Sequence, residues 1–227
     1  MSKIKELISW KFLLFIAISI ILTNTPIIGN YFRVINTVIH ESGHAIVALF
    51  GGKVHEISLF MNTEGVTYTS HSSWFGGFFT GAAGYIFSSL IAFLSFYFIS
   101  RKKYKWLIII LLLFIGFNLV FWVRNFYGIF WLITFGAAFI FLLYKGTASI
   151  VEHFLLVIAS ILLVESITSS FTIFLLSFTQ PYAAGDATGL AQATHIIPAQ
   201  FWGIFFLSQA IAFAAAGFKI GSYRISK

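Results

Sequence analysis

Seven apolar stretches follow one another along this chain, near 10–29, 31–51, 75–100, 106–123, 126–144, 150–177 and 199–217. Each is long enough, or nearly so, to cross about 30 Å of hydrocarbon. In that medium every backbone N–H and C=O must be paired within the protein, which restricts spanning segments to helices or closed barrels. Runs of this length are helical, and they predict an all-α polytopic membrane protein, a bundle of about six to seven transmembrane helices. Composition agrees. Hydrophobic residues make up 59% and charged residues only 9%, whereas a water-soluble domain carries near a quarter charged residues. Trp10, Tyr31, Trp74, Trp106, Trp122, Tyr144 and Trp202 punctuate the segment boundaries, as an interfacial aromatic belt does. Residues 1–227 read as a single integral-membrane domain with no soluble module and no long linker.

The formal charge of +7 does not point to nucleic acid, because the basic residues flank apolar runs as anchors do. The lipid bilayer is the expected environment and the cell membrane the expected location. The loop Arg101-Lys102-Lys103-Tyr104-Lys105 and the tail with Lys219, Arg224 and Lys227 should be cytoplasmic. Seven full crossings would then put Lys3, Lys5 and Lys11 outside, against the same rule. Either one segment does not cross completely or the first helix tolerates an unfavourable flank, so orientation stays open, as does oligomeric state. The N-terminus superficially resembles a secretory leader. Thr23-Asn24-Thr25-Pro26 lacks a small-x-small cleavage pattern, however, and the segment reads as a retained anchor helix.

Two regions are not ordinary spans. Residues 53–70 are rich in β-branched side chains and alternate around Asn62-Thr63-Glu64-Gly65, which predicts a short β-hairpin. Residues 178–198 carry Pro181, Gly185, Gly189 and Pro198 among Gln180, Asp186, Gln192 and His195. Irregular polar backbone at membrane depth is tolerated only where it lines protein or a wet cavity.

The second apolar stretch contains His40-Glu41-Ser42-Gly43-His44. Residues four apart lie on one helical face, so both imidazoles can reach a single metal, the H-E-x-x-H arrangement of zinc hydrolases. Glu41 lies beside that pair and suits a general base acting on a metal-activated water. Polar groups at this depth cost roughly 2.5–3.5 kcal/mol per charge; helix–helix hydrogen bonding would need only Ser or Asn. With no cysteine in the chain, a metal must be held by His and carboxylate. Zn2+ wants a third protein ligand and an open position. Candidates are Asp186, Glu165, His195, His71 and His55. Glu165 sits in a hydroxyl-rich run and reads more readily as hydrogen-bonded inside the bundle. His153 and Glu152 lie near a helix end and read as reaching to water, and His55 and His71 as solvent-facing.

Val38 to Val47, with the five-residue motif at its centre, runs into Gly51-Gly52-Lys53-Val54. This resembles the M50 peptidase family, the site-2-protease-like intramembrane zinc metalloproteases, and within it the compact M50B-like branch. Gly81-Ala82-Ala83-Gly84-Tyr85 is similar to the family's small-residue motif that packs on the motif helix. Val123-Arg124-Asn125 is similar to a polar pair between later helices, and Gly185-Asp186-Ala187 to the branch's late aspartate. The resemblance implies that His40, His44 and Asp186 are zinc ligands and Glu41 the catalytic base.

Chemistry and resemblance together predict an intramembrane zinc metallopeptidase acting on a membrane-spanning or membrane-associated peptide. An unwound substrate would add to the hairpin edge by main-chain pairing, with Asn118 or Asn125 as a further oxyanion donor. For Asn118 an interhelical hydrogen bond is the simpler expectation. Gly76, Gly77, Gly81 and Gly84 read as helix packing. The competing reading is a non-proteolytic metal-binding membrane protein: a sensor, chaperone or transport component.

Overall fold

The computed structural model describes residues 8–225; Lys3, Lys5 and Lys227, invoked above for orientation, lie outside them. Helix α1 (Trp10–Thr23) starts where the Ser9 hydroxyl accepts from Phe12 N–H. It ends before Pro26, which lacks an N–H and disfavours helix in the residue ahead of it. The chain bends by 109° there and continues as α2 (Ile28–Ala48), the motif helix. Strands β1 (Gly52–Leu59) and β2 (Gly65–His71) follow as an antiparallel hairpin. Then come α3 (Trp74–Ser100), α4 (Tyr104–Phe117) with a π-helical turn at Asn118–Trp122, α5 (Phe126–Lys145), α6 (Ala148–Thr179), the short α7 (Gly185–Thr194) and α8 (Ala199–Lys219).

The predicted all-α polytopic architecture with a hairpin after the motif helix is the observed one, and one count changes. Five helices are long and apolar enough to cross a membrane, and α1 with α2 form a sixth, broken candidate. Treating the bent pair as one span removes the charge conflict seen in the sequence. Ser9 N–H donates to Tyr223 O (3.1 Å), and Glu152 both pairs with Lys11 and accepts from the Tyr104 hydroxyl (2.7 Å). The starts of α1, α4 and α6 and the chain after α8 therefore meet at one end, which carries the 101–105 loop and the basic tail. Glu152 is a tie between elements there, not a side chain reaching to water.

Along β2 burial alternates: Gly65, Thr67, Thr69 and His71 turn inward, while Val66, Tyr68 and Ser70 are exposed. A bulge at His55 separates two stretches of regular pairing with β1, Gly52↔His71 to Val54↔Thr69 and Glu56↔Tyr68 to Leu59↔Gly65. The outer edge of β1 is occupied. Ile57 bridges to Val123, and Asn125 accepts from Leu59 N–H (3.1 Å) while donating to Leu59 O (2.6 Å). β2 has no second strand beside it among the described residues. A tip turn with Thr63 at φ 72 and an Asn62 side chain accepting from Glu64 N–H closes the hairpin.

Helix α3 is the central wall. Its small polar residues Ser88, Ser89 and Ser95 are buried, and Ser89 and Ser95 donate back to carbonyls four residues earlier. That satisfies their hydroxyl protons within the helix, and Ser89 Oγ also accepts from the Gln209 amide of α8 (3.1 Å). Helix α7 is seated on a satellite core of Ala82, Tyr85, Ala184, Ala187, Leu190, Trp202 and Phe206.

Candidate metal centre

His40 and His44 project from one face of α2 toward α3, and α3 can come close because residue 84 is glycine. A Cβ there would lie 2.5 Å from His40 Cε1 and Nε2 and from His44 Nε2. His44 Nδ1 donates to Thr80 O (2.6 Å), leaving Nε2 as the lone-pair nitrogen that points into the site; a carbonyl in this role fixes tautomer and ring orientation. The His40 ring stands edge-on against Tyr85, centroids 4.6 Å apart, and Tyr85 in turn packs on Phe206.

Asp186 reaches the same point from the first turn of α7. The Thr188 hydroxyl shapes the approach, accepting from Ala184 N–H (2.9 Å) and donating to Pro181 O (2.8 Å). The Trp74 indole N–H ties the far end of α7 to α3 by donating to Ala193 O (2.6 Å). Asp186 Oδ2 lies 3.2 Å from His40 Nε2 and 3.2 Å from His44 Nε2, and the two nitrogens are 3.0 Å apart.

Three lone-pair atoms in a triangle of this size repel unless a proton or a cation lies among them. Zinc bonds of about 2.0–2.1 Å at tetrahedral angles put ligand atoms about 3.3 Å apart, close to the observed edges. Asp186 Oδ2 is buried and has no hydrogen-bond donor of its own, as a ligand atom would be. The two imidazoles and the carboxylate are spaced to hold one divalent ion.

Glu41 is buried next to this triangle. Its Oε2 accepts from the Thr67 hydroxyl (2.6 Å). Gly65 must be glycine for the hairpin to press so close, since a Cβ there would meet Glu41 Oε1 at 2.6 Å and Thr37 Cγ2 at 2.6 Å. The Thr37 hydroxyl latches the tip by donating to Thr63 O (2.7 Å). A cavity of about 600 Å³ opens over these groups, walled by α2, the inward face of β2, α3, α6 and the loop before α7.

The remaining sequence candidates lie elsewhere. Glu165 pairs with Arg33 Nε at 2.9 Å; its partner is a guanidinium rather than the neighbouring hydroxyls. His195 is an exposed left-handed cap at the end of α7. His55 is exposed and hydrogen-bonded to Ser70. His71, expected in solvent, lines the cavity instead, with Nε2 on Thr69 Oγ1 and Nδ1 buried. Partial burial lowers its proton affinity. Neither amide suggested as an oxyanion donor is free. Asn118 is fully buried behind the motif helix and donates to Ser42 Oγ (2.6 Å), the interhelical bond, while Asn125 is spent on Leu59. Among the glycines of α3, Gly81 faces Leu190 and Gly76 and Gly77 face His71, while Gly84 meets the rings of His40 and His44. Contributors to the cavity missed from the sequence include Asn36, Thr37, Thr67 and Thr80. Asn36 was legible in principle, since it precedes His40 by one turn on the same face. The contact of Thr67 depends on how the hairpin folds back and has no local signal.

Helical spans together with a partly buried His–His–carboxylate triangle beside a second carboxylate define an integral multi-pass membrane protein with a candidate metal-binding centre. A family model described as Peptidase M50B-like matches residues 12–217, and the chain belongs to that family. Comparison with curated proteins and with solved structures gave no match.

Proposed function

We propose that this protein is an intramembrane zinc metallopeptidase that hydrolyses a peptide bond of a membrane-embedded protein or peptide. The observation that carries the reading is the convergence of His40, His44 and Asp186 to 3.0–3.2 Å beside Glu41, in a cavity of about 600 Å³. His40, His44 and Asp186 would hold the zinc, which would supply Lewis-acid chemistry to a carbonyl and to water.

The chain's own groups do the rest. Glu41, steadied by Thr67 on one oxygen, has Oε1 available to take the proton of the attacking water and pass it to the leaving amine. Tyr85 and Phe206 wall the triangle on the side of His40 and limit access there. A transmembrane helix shields its peptide bonds, so the substrate must be extended at the cut. The unpaired edge of β2 offers main-chain pairing to such a segment. Because β1 is capped by Val123 and Asn125, β2 is the edge this reading selects. The reading places the chain in the cell membrane with the basic end at the cytoplasm.

The test uses full-length protein in liposomes with a synthetic transmembrane peptide whose centre is destabilised by glycine. Wild type cleaves it, chelation stops the cleavage, and Glu41→Gln abolishes it while keeping the metal. Undiminished cleavage by Glu41→Gln removes Glu41 from its role, and stoichiometric metal with no cleavage in any protein favours a binding protein instead.

A further inference from the structure

Asn36 is nine-tenths buried, lines the cavity and makes no side-chain hydrogen bond among the described residues, with Oδ1 orphaned. The other polar side chains on this wall of α2 are committed: Thr37 to Thr63, Glu41 to Thr67, and the imidazoles to each other and Asp186. Asn36, His40 and His44 follow at intervals of four, so the amide sits on the same stripe, about 6 Å before the first imidazole. An amide buried without partners is costly, and leucine would fit this depth of the membrane better. Its presence is explained by a ligand that completes it.

A carboxamide carries a donor and an acceptor set like those of a peptide group, and this protein already uses one that way. On the far edge of the hairpin, Asn125 holds both the N–H and the C=O of Leu59. Asn36, among the residues that line the cavity, carries the same pair of groups. Resting on the metallopeptidase reading, we propose that Asn36 binds one peptide group of the extended substrate about one helical turn from the metal, as a substrate-binding residue separate from the ligands and the base. It fixes the register in which the substrate lies across the centre.

Two kinds of probe separate this role from the metal centre. Acetohydroxamate reaches only the metal; peptidyl hydroxamates, extended toward either terminus, also run along the cavity. Binding is measured on zinc-loaded full-length wild type, Asn36→Leu and Asn36→Asp, the last keeping the side chain's size while losing its donor. In both variants zinc content and acetohydroxamate affinity stay at the wild-type level, and affinity for one of the two peptidyl hydroxamates falls about tenfold, as loss of hydrogen bonds to a buried group predicts. N-methylating the contacted amide of that probe removes the difference between wild type and Asn36→Leu. The proposal is overturned if both peptidyl probes bind the variants within twofold of wild type. It is equally overturned if acetohydroxamate affinity or zinc content falls in step, since Asn36 would then support the centre's shape. A zinc-loaded wild type that binds no hydroxamate refutes the metallopeptidase reading itself, a result distinct from either.

Discussion

At Gly84 the missing side chain leaves the space that the two imidazoles occupy. Gly84→Ala puts a methyl group at 2.5 Å from both rings, so the imidazoles must move from their present positions. The expected result is a fall in zinc affinity of about 10–100-fold, the range typical of disturbed support around a metal ligand, with helix content unchanged by circular dichroism. Thr67 acts one step further out, through the Glu41 carboxylate it donates to. Thr67→Val keeps the shape and loses the hydroxyl; cleavage should slow by about tenfold, part of what a positioned base contributes, with metal content intact. A variant that cleaves at the wild-type rate shows that the hairpin does not orient Glu41. At this scale the sequence was most informative about His40, Glu41 and His44, because a four-residue spacing on a helix is a local geometric fact. It said less about Asp186, for which several side chains competed. Only the seating of α7 on Tyr85, Trp202 and Phe206, a non-local packing result, brings that carboxylate in and leaves Glu165 with Arg33.

The hairpin and the bent helix pair are the elements that give the centre its shape. Asn125 substitutes for a strand along β1 by making both hydrogen bonds to Leu59. Asn125→Ala leaves a backbone pair unmet, at a cost of about 1–3 kcal/mol. Hydrogen exchange should then accelerate across Gly52–His71 while α3 stays protected. Unchanged exchange in the hairpin contradicts the clasp. The Arg33–Glu165 pair ties α2 to α6 just after the break. The hairpin was legible from alternation around Asn62–Gly65. The bend was not, because 10–29 and 31–51 each look like a span by hydropathy, and only the backbone at Pro26 and Ile27 turns the second helix by 109°.

For the molecule as a whole, that bend sets the topology. Counted as one span, the bent pair makes six crossings, which would bring the 101–105 loop and the chain after α8 to one side, beside the start of α1, and put the hairpin's side opposite. The chain has no cysteine, so single cysteines report cleanly. With a membrane-impermeant maleimide, Lys103→Cys and Lys219→Cys should label from the same face and Ser72→Cys from the other; labelling of Lys103→Cys and Ser72→Cys from one face contradicts the six-crossing arrangement. Within that frame the whole account rests on one ion held between the motif helix and α7. The direct measurement is X-ray absorption at the zinc edge, with metal content, on wild type, Glu41→Gln and Asp186→Ala. The account predicts one zinc per chain in wild type and in Glu41→Gln, with a first shell of two imidazole nitrogens and carboxylate or water oxygen, and loss of the metal in Asp186→Ala. Stoichiometric zinc with an unaltered shell in Asp186→Ala contradicts it.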